Sequence, residues 1–179
     1  MKRIFIVGYM GSGKTTVGKR LAELLSLSFV DLDAFIENKH RKTVSVLFAE
    51  NGEDGFRKIE NRVLHEVAEF EDVVISTGGG TPCFSNNMEM MNRTGVTIYL
   101  KACPEDLANH LLASKTVRPL IAGKSKEELI PFIAEHLAHR ECYYSKAQIV
   151  YHTDHLITKE EIHLMTHEIE KQLKTRGTK

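Results

Sequence analysis

The sequence predicts an α/β fold built on a parallel sheet, and three observations carry that reading. β-prone apolar runs alternate along the chain with segments of helical periodicity, the pattern that layers helices on a sheet through right-handed crossovers. The first run, Ile4-Phe5-Ile6-Val7, is continuously apolar, as expected of a strand covered on both faces. It leads through a glycine-rich turn directly into an amphipathic stretch, so strand, loop and helix are consecutive.

The elements follow in order. After the strand at Ile4–Val7, Val17, Leu21, Leu24 and Leu25 recur at helical spacing from Lys14 onward with charged residues between them, which lays one apolar stripe on the sheet. Ser28-Phe29-Val30, Val73-Val74-Ile75, Val96-Thr97-Ile98-Tyr99-Leu100 and, more weakly, Ala147-Gln148-Ile149-Val150-Tyr151 bring the strands to five. Pro104 stands where the first helical residue would follow the fourth strand, a position at which its missing N–H costs nothing. Ser125 with Glu128, and Thr158 with Glu161, have capping-box spacing. Between Ala113 and Lys126 periodicity fades. That stretch holds four basic residues, Lys115, Arg118, Lys124 and Lys126, with no acid before Glu127, and reads as a basic loop of the length usually kept for function.

Composition narrows the functions. A length of 179 residues sets the expectation of one domain over 1–179 with no internal repeat. The hydrophobic fraction of 42% and charged fraction of 27% exclude disorder and rod-like repeats. Lys plus Arg equals Asp plus Glu at 24 each, and no aromatic-basic platform is present, so no nucleic-acid partner is expected and any phosphate site must be local. Cys83, Cys103 and Cys142 are odd in number and widely spaced, which points to reduced thiols in the cytoplasm. No apolar stretch approaches the roughly 18–20 residues of a membrane span.

Gly8-Tyr9-Met10-Gly11-Ser12-Gly13-Lys14-Thr15 matches GxxxxGK[ST] in the strand-to-helix context that the motif needs. Gly11, Ser12 and Gly13 let successive N–H groups converge on phosphate oxygens at the positive end of a helix dipole. Lys14 adds a point charge, and Thr15, followed by Thr16, offers a hydroxyl suited to Mg²⁺. A Mg-nucleoside triphosphate is the expected ligand. GTPases are disfavoured because neither NKxD nor DxxG occurs.

The acceptor side is less marked. Asp31 and Asp33 follow the second strand, and residues two apart at a strand end point the same way, toward the edge where open α/β sheets bind ligands. Alone, such a pair serves equally as a helix cap or a solvated loop. Arg57 and Glu60 would share a helix face at i and i+3, as a ligand-binding group or an ordinary surface ion pair. Gly78-Gly79-Gly80 follows the third strand, where bare backbone can touch a ligand or simply turn. Arg118 could close over a transferred phosphate or stay in solvent. Arg140 ends a helical stretch as a carboxylate fork or as a cation at the dipole's negative end.

These motifs in order, GYMGSGKTT at 8–16, DLD at 31–33, FRKIE at 56–60, GGG at 78–80, RPL at 118–120, and Arg140 with Tyr144 and Ala147, closely resemble the shikimate kinases over most of the chain. The resemblance implies a three-layer P-loop NTPase fold, five parallel strands in the order 2-3-1-4-5 flanked by helices. It further implies a substrate-binding segment about 33–61 and a lid about 113–126. It implies ATP-dependent phosphorylation of the 3-hydroxyl of shikimate, a step toward chorismate and the aromatic amino acids, by a monomer with a small-molecule substrate and no membrane partner. By the same carry-over, Lys14, Asp33 and Arg118 are catalytic, and Gly11 to Thr16 with Arg118 hold ATP. Asp33, Arg57, Gly78, Gly79, Gly80 and Arg140 would contact shikimate, and Thr15 and Asp31 would hold Mg²⁺. The chain departs from the pattern at Cys142, where relatives commonly carry proline, and near His110, where many carry a second arginine. The adenine contacts are expected near His152 to His155.

The residues fit that chemistry on their own terms. A compact hydroxylated anion needs cations for its carboxylate and an acceptor for its reactive hydroxyl, and Arg57, Arg140 and Asp33 supply them. Because phosphoryl transfer depends mainly on positioning and charge stabilisation, Asp33 is expected to orient the hydroxyl more than to act as a strong base. Alternatives are a gluconate or nucleotide kinase of the same architecture, or an ATP-binding regulatory module without turnover. His163 with His167, and His136 with His139, have metal-compatible helical spacing but lack a third ligand and read as solvated helix faces.

Overall fold

A computed structural model describes residues 2–114, 121, 123–153 and 159–176. The elements are β1 (Arg3–Val7), α1 (Lys14–Leu25), β2 (Ser28–Asp31), α2 (Leu32–His40), α3 (Val44–Val67), β3 (Val73–Ser76), α4 (Asn87–Thr94), β4 (Val96–Lys101), α5 (Pro104–Ala113), α6 (Lys126–Tyr144), β5 (Ile149–His152) and α7 (Lys159–Arg176), with a 3-10 turn at Thr81–Cys83. The five strands form one parallel sheet in the order β2-β3-β1-β4-β5, with Phe5 opposite Ile75 and Thr97 at its centre.

Strand alternation splits the core into two layers. Phe5 and Val7 of β1 join Val73 and Ile75 of β3 on the face covered by α2, α3, α4 and Tyr144. Ile4 and Ile6, with Val74, Ile98 and Leu100, face α1 and α7 through Val17, Leu21, Met165 and Ile169. A third cluster, centred on Tyr9, Leu107, Leu129 and Ile133, seats α5 and α6 beside the loop after β1. Because all strands run the same way, the loops after β1, β2 and β3 emerge at one edge of the sheet, where open α/β sheets take ligands.

Local signals fix the helix starts. Pro104 is the first residue of α5. Ser125 and Glu128 form the expected reciprocal cap of α6. Thr43 caps α3. Thr158, Arg118 and half of the expected lid, 115–120 and 122, lie outside the described residues. One element differs from expectation, and another gains its bounds. The last strand begins at Ile149, since the backbone N–H groups of Lys146 and Ala147 close the end of α6 and that of Gln148 bonds to the Thr97 hydroxyl. The helix bearing Arg57 runs from Val44 and bends at Gly52, whose φ of 66° only glycine adopts without strain. No helix among the described residues is long and apolar enough to cross a membrane.

Candidate active site

The loop after β1 forms a cradle at the N-terminus of α1. Gly13 has φ 84° and stands at the N-cap of α1 without any side-chain cap, so the first N–H groups of that helix remain available to an anion. Lys14 is buried, and its Nζ donates to the Tyr9 carbonyl at 2.7 Å. Ser12 Oγ is buried with no hydrogen-bond partner. A hydroxyl left unsatisfied in such a site is costly unless a ligand completes it.

Beside the cradle, Thr15 Oγ1 donates to Asp31 Oδ2 at 2.8 Å, while the other carboxylate oxygen of Asp31 accepts from the Ala34 N–H at 3.3 Å. Asp31 thus caps α2 and reaches α1 at once, so the cap and ligand-site readings of this residue are both true of its geometry. Asp33 faces the same cavity for a different reason than strand alternation. It lies in the first turn of α2, and the helix rather than an extended strand turns its carboxyl inward. Burial pushes its pKa up to about 6, with the carboxylates of Glu60 and Asp31 adding to the rise and Lys14 opposing it.

Thr15, Thr16, Asp31, Asp33, Gly78 and Gly79 line one cavity of about 400 Å³, together with the cradle. His110 also lines it, with Nδ1 3.0 Å from the Gly11 carbonyl, so that nitrogen carries the proton.

Arg57 sits behind the triglycine turn. It is not half of a surface pair, because Glu60 is 1% exposed. Glu60 accepts from Arg57 Nη1 at 2.9 Å with one oxygen and from Thr81 Oγ1 at 2.6 Å with the other. The guanidinium also bonds Glu53 at 3.3 Å and lies 4.2 Å over the Phe84 ring, and its buried Nε has no partner. The triglycine is a close-approach surface rather than a plain turn. A Cβ at Gly78 would fall 2.9 Å from Asp33 Oδ1, and one at Gly80 would fall 2.7 Å from Arg57 Nη2. At Gly79 it would press on the Met10 nitrogen at 3.2 Å.

Arg140, near the end of α6, lies over the Tyr9 ring at 5.4 Å. The charges of Arg140 and Arg57 both act on Cys83, whose thiol burial nonetheless pushes up to about 11. Both guanidinium groups therefore lie near the 3-10 turn that follows the triglycine. Arg57, Gly80 and Arg140 border the cavity's neighbourhood without lining it.

Several contributors had no sequence signal. Thr81 and Phe84 fall in an aperiodic turn. Tyr144 was marked only as a member of the last family motif; its hydroxyl donates to the Gly79 carbonyl at 2.5 Å and its ring lies 5.0 Å from that of Tyr99, 45 residues earlier in the chain. Tyr9 was visible only as a variable position of the cradle motif. His163 and His167 approach to 3.2 Å between Nε2 atoms, but no group of three or more potential ligands occurs among the described residues. Cys83, Cys103 and Cys142 form no disulfide among the described residues.

The family model for shikimate kinase matches residues 10–171. The chain is 56% identical over 163 residues to a shikimate kinase of Parabacteroides distasonis, covering 91% of this chain and 94% of that one. It is 54% identical over 173 residues to one of Phocaeicola vulgatus, covering 97% and 99%. A crystal structure of shikimate kinase from Bacteroides thetaiotaomicron superposes with TM-score 0.94 at 48% identity, covering 97% of this chain and 98% of that one. The Acinetobacter baumannii shikimate kinase in complex with shikimate superposes with TM-score 0.85 at 30% identity, covering 100% and 96%.

Proposed function

The chain belongs to the shikimate kinase family, and from that premise we propose that it transfers the terminal phosphoryl group of Mg-ATP to the 3-hydroxyl of shikimate, giving shikimate 3-phosphate and ADP. The observation that supports this most is that Lys14, Thr15 and Asp31 share one cavity with Asp33, Gly78 and Gly79, so a phosphate cradle and an acceptor for a hydroxyl open onto the same space.

The residues present fit a magnesium-bound triphosphate: an unpartnered buried Ser12 hydroxyl, uncapped N–H groups at α1, and a hard oxygen pair at Thr15 and Asp31. Thr15 would hold the ion directly and Asp31 through water. When bound, that ion neutralises phosphate charge and fixes the phosphate orientation. Gly11 to Thr16 would cradle the phosphates, with Lys14 exchanging the Tyr9 carbonyl for a phosphate oxygen.

Arg57 and Arg140 would grip the carboxylate of shikimate. Arg57 suits this because Glu60 locks its orientation while Nε stays free. Gly79 and Gly80 would offer backbone to the ring at close range. Asp33 would accept the hydrogen bond of the attacking hydroxyl and take up its proton, aided by a carboxyl held near pKa 6. Arg118 would close over the nucleotide.

ADP release with Mg-ATP and, separately, shikimate, gluconate and nucleoside monophosphates tests the reading. Turnover confined to shikimate is expected. Turnover with gluconate or a nucleotide instead, or ATP binding without consumption in the presence of shikimate, would overturn it.

A further inference from the structure

We propose that Tyr9, a residue of the phosphate loop, positions Arg140 for its grip on the acid substrate, so that the cradle for one substrate aims a ligand of the other. The inference rests on the reading of Arg140 as a carboxylate ligand.

The two arginines beside the triglycine are held in different ways. Arg57 is tied to Glu60 and Glu53. Arg140 has no ion-pair partner among the described residues; its guanidinium hydrogen-bonds the Tyr144 side chain and lies 5.4 Å from the centre of the Tyr9 ring. That distance is within the range where a ring quadrupole attracts a guanidinium. A carboxylate partner would compete with the incoming acid for the same donors, whereas an aromatic face holds the cation from below and leaves its N–H groups free.

Tyr9 is itself fixed from several directions. Its side chain is buried with only 1% of the residue exposed, amid Leu107, Leu129 and Ile133. Its hydroxyl lies 3.4 Å from Nδ1 of His136, one helical turn before Arg140, and that imidazole packs on Phe132 at 4.2 Å. Its carbonyl accepts from Lys14 Nζ at 2.7 Å and from the Ser12 N–H at 3.2 Å. One residue therefore meets the lysine of the cradle through its backbone and the arginine of the acceptor side through its ring. The field of Arg140 is felt at the hydroxyl, where it opposes the upward push of burial on the pKa.

The test is steady-state kinetics with each substrate varied, on Tyr9→Leu, Tyr9→Phe, Arg140→Ala and the Tyr9→Leu/Arg140→Ala pair. Tyr9→Leu should raise KM for shikimate by about 3- to 30-fold, the span of a partly to fully desolvated cation–π contact. KM for ATP should stay within about two-fold, and Tyr9→Phe, which keeps the ring, should restore KM for shikimate. In the Arg140→Ala background, Tyr9→Leu should add nothing further. Equal increases in both KM values, or a Tyr9→Leu penalty undiminished in that background, would make Tyr9 a packing residue and overturn the proposal.

If Tyr9→Leu fails to fold, phenylalanine and pentafluorophenylalanine placed at position 9 compare two rings of nearly the same shape and opposite quadrupole. A higher KM for shikimate with the fluorinated ring supports the proposal, and equal values reject it. Should Arg140→Ala leave KM for shikimate unchanged, the reading of Arg140 as a ligand fails. Should it raise KM while Tyr9→Leu does not, the inference about Tyr9 falls alone.

Discussion

The hydroxyl of Tyr144 donates to the carbonyl oxygen of Gly79 across 2.5 Å, tying the last turn of α6 to the middle of the triglycine. Tyr144 is fully buried, and that burial holds its phenol well above the usual tyrosine range, so it stays a neutral donor at every working pH. Tyr144→Phe removes the donor and leaves the carbonyl without that partner. A loss of about 1–2 kcal/mol is expected, read as a Tm lower by about 2–8 °C. KM for shikimate should rise several-fold with little change in KM for ATP. An unchanged melting curve together with unchanged kinetics would show the bond to be idle.

Arg57→Ala deletes a guanidinium held between Glu60 and the Phe84 ring. The expected result is a fall in kcat/KM for shikimate of roughly two to four powers of ten, from two charge-assisted hydrogen bonds at about 1.5–3 kcal/mol each. Kinetics equal to the parent would reject Arg57 as a ligand.

Asp33 has a pKa raised to about 6, so the folded chain holds its proton where the unfolded chain has lost it. Stability from this group is fully present below the unfolded value near 3.8 and is lost as pH rises through about 6. Asp33→Asn should therefore stabilise the protein by about 1–3 kcal/mol at pH 7–8 and by nothing near pH 3.5, measured by denaturant unfolding across pH. The same variant should nearly abolish turnover. In the parent, kcat/KM for shikimate should climb with pH up to about 6 and then level. Glu60→Gln, which removes a neighbouring negative charge, should move that limb to lower pH.

Gly80→Ala keeps a comfortable backbone, since φ is −87° there, but sets a methyl 2.7 Å from Arg57 Nη2. The guanidinium is the flexible partner and should swing aside. Tm should change by no more than a few degrees, while KM for shikimate rises about ten-fold or more. A large loss of stability with KM intact would mean the backbone moved instead.

Much of the site was legible because its chemistry is local in the chain. The cradle needs glycines, a lysine and a hydroxyl at fixed spacing between a strand and a helix, and Arg57 with Glu60 needs one helical turn. Asp33 was found on an argument of strand alternation, yet a helix turns it inward, because Asp31 both ends β2 and caps α2. Tyr9 under Arg140, Tyr144 on Gly79 and Phe84 against Arg57 join segments far apart in sequence, and no spacing rule marks such partners. The burial of Glu60 was hidden for the same reason: it follows from Thr81 closing over it, a residue 21 positions away.

The triglycine, the proposed floor for the acid substrate, is bare main chain, and a Cβ added at any of its three positions would meet either a charged group or the cradle backbone. Selectivity for a different hydroxy acid can therefore not be engineered from beneath, since even one carbon there displaces the apparatus. Redesign has to come from the rings around Arg57, where Phe48 and Phe84 lie 5.4 and 4.2 Å from its guanidinium carbon and can change size while the triglycine stays as it is.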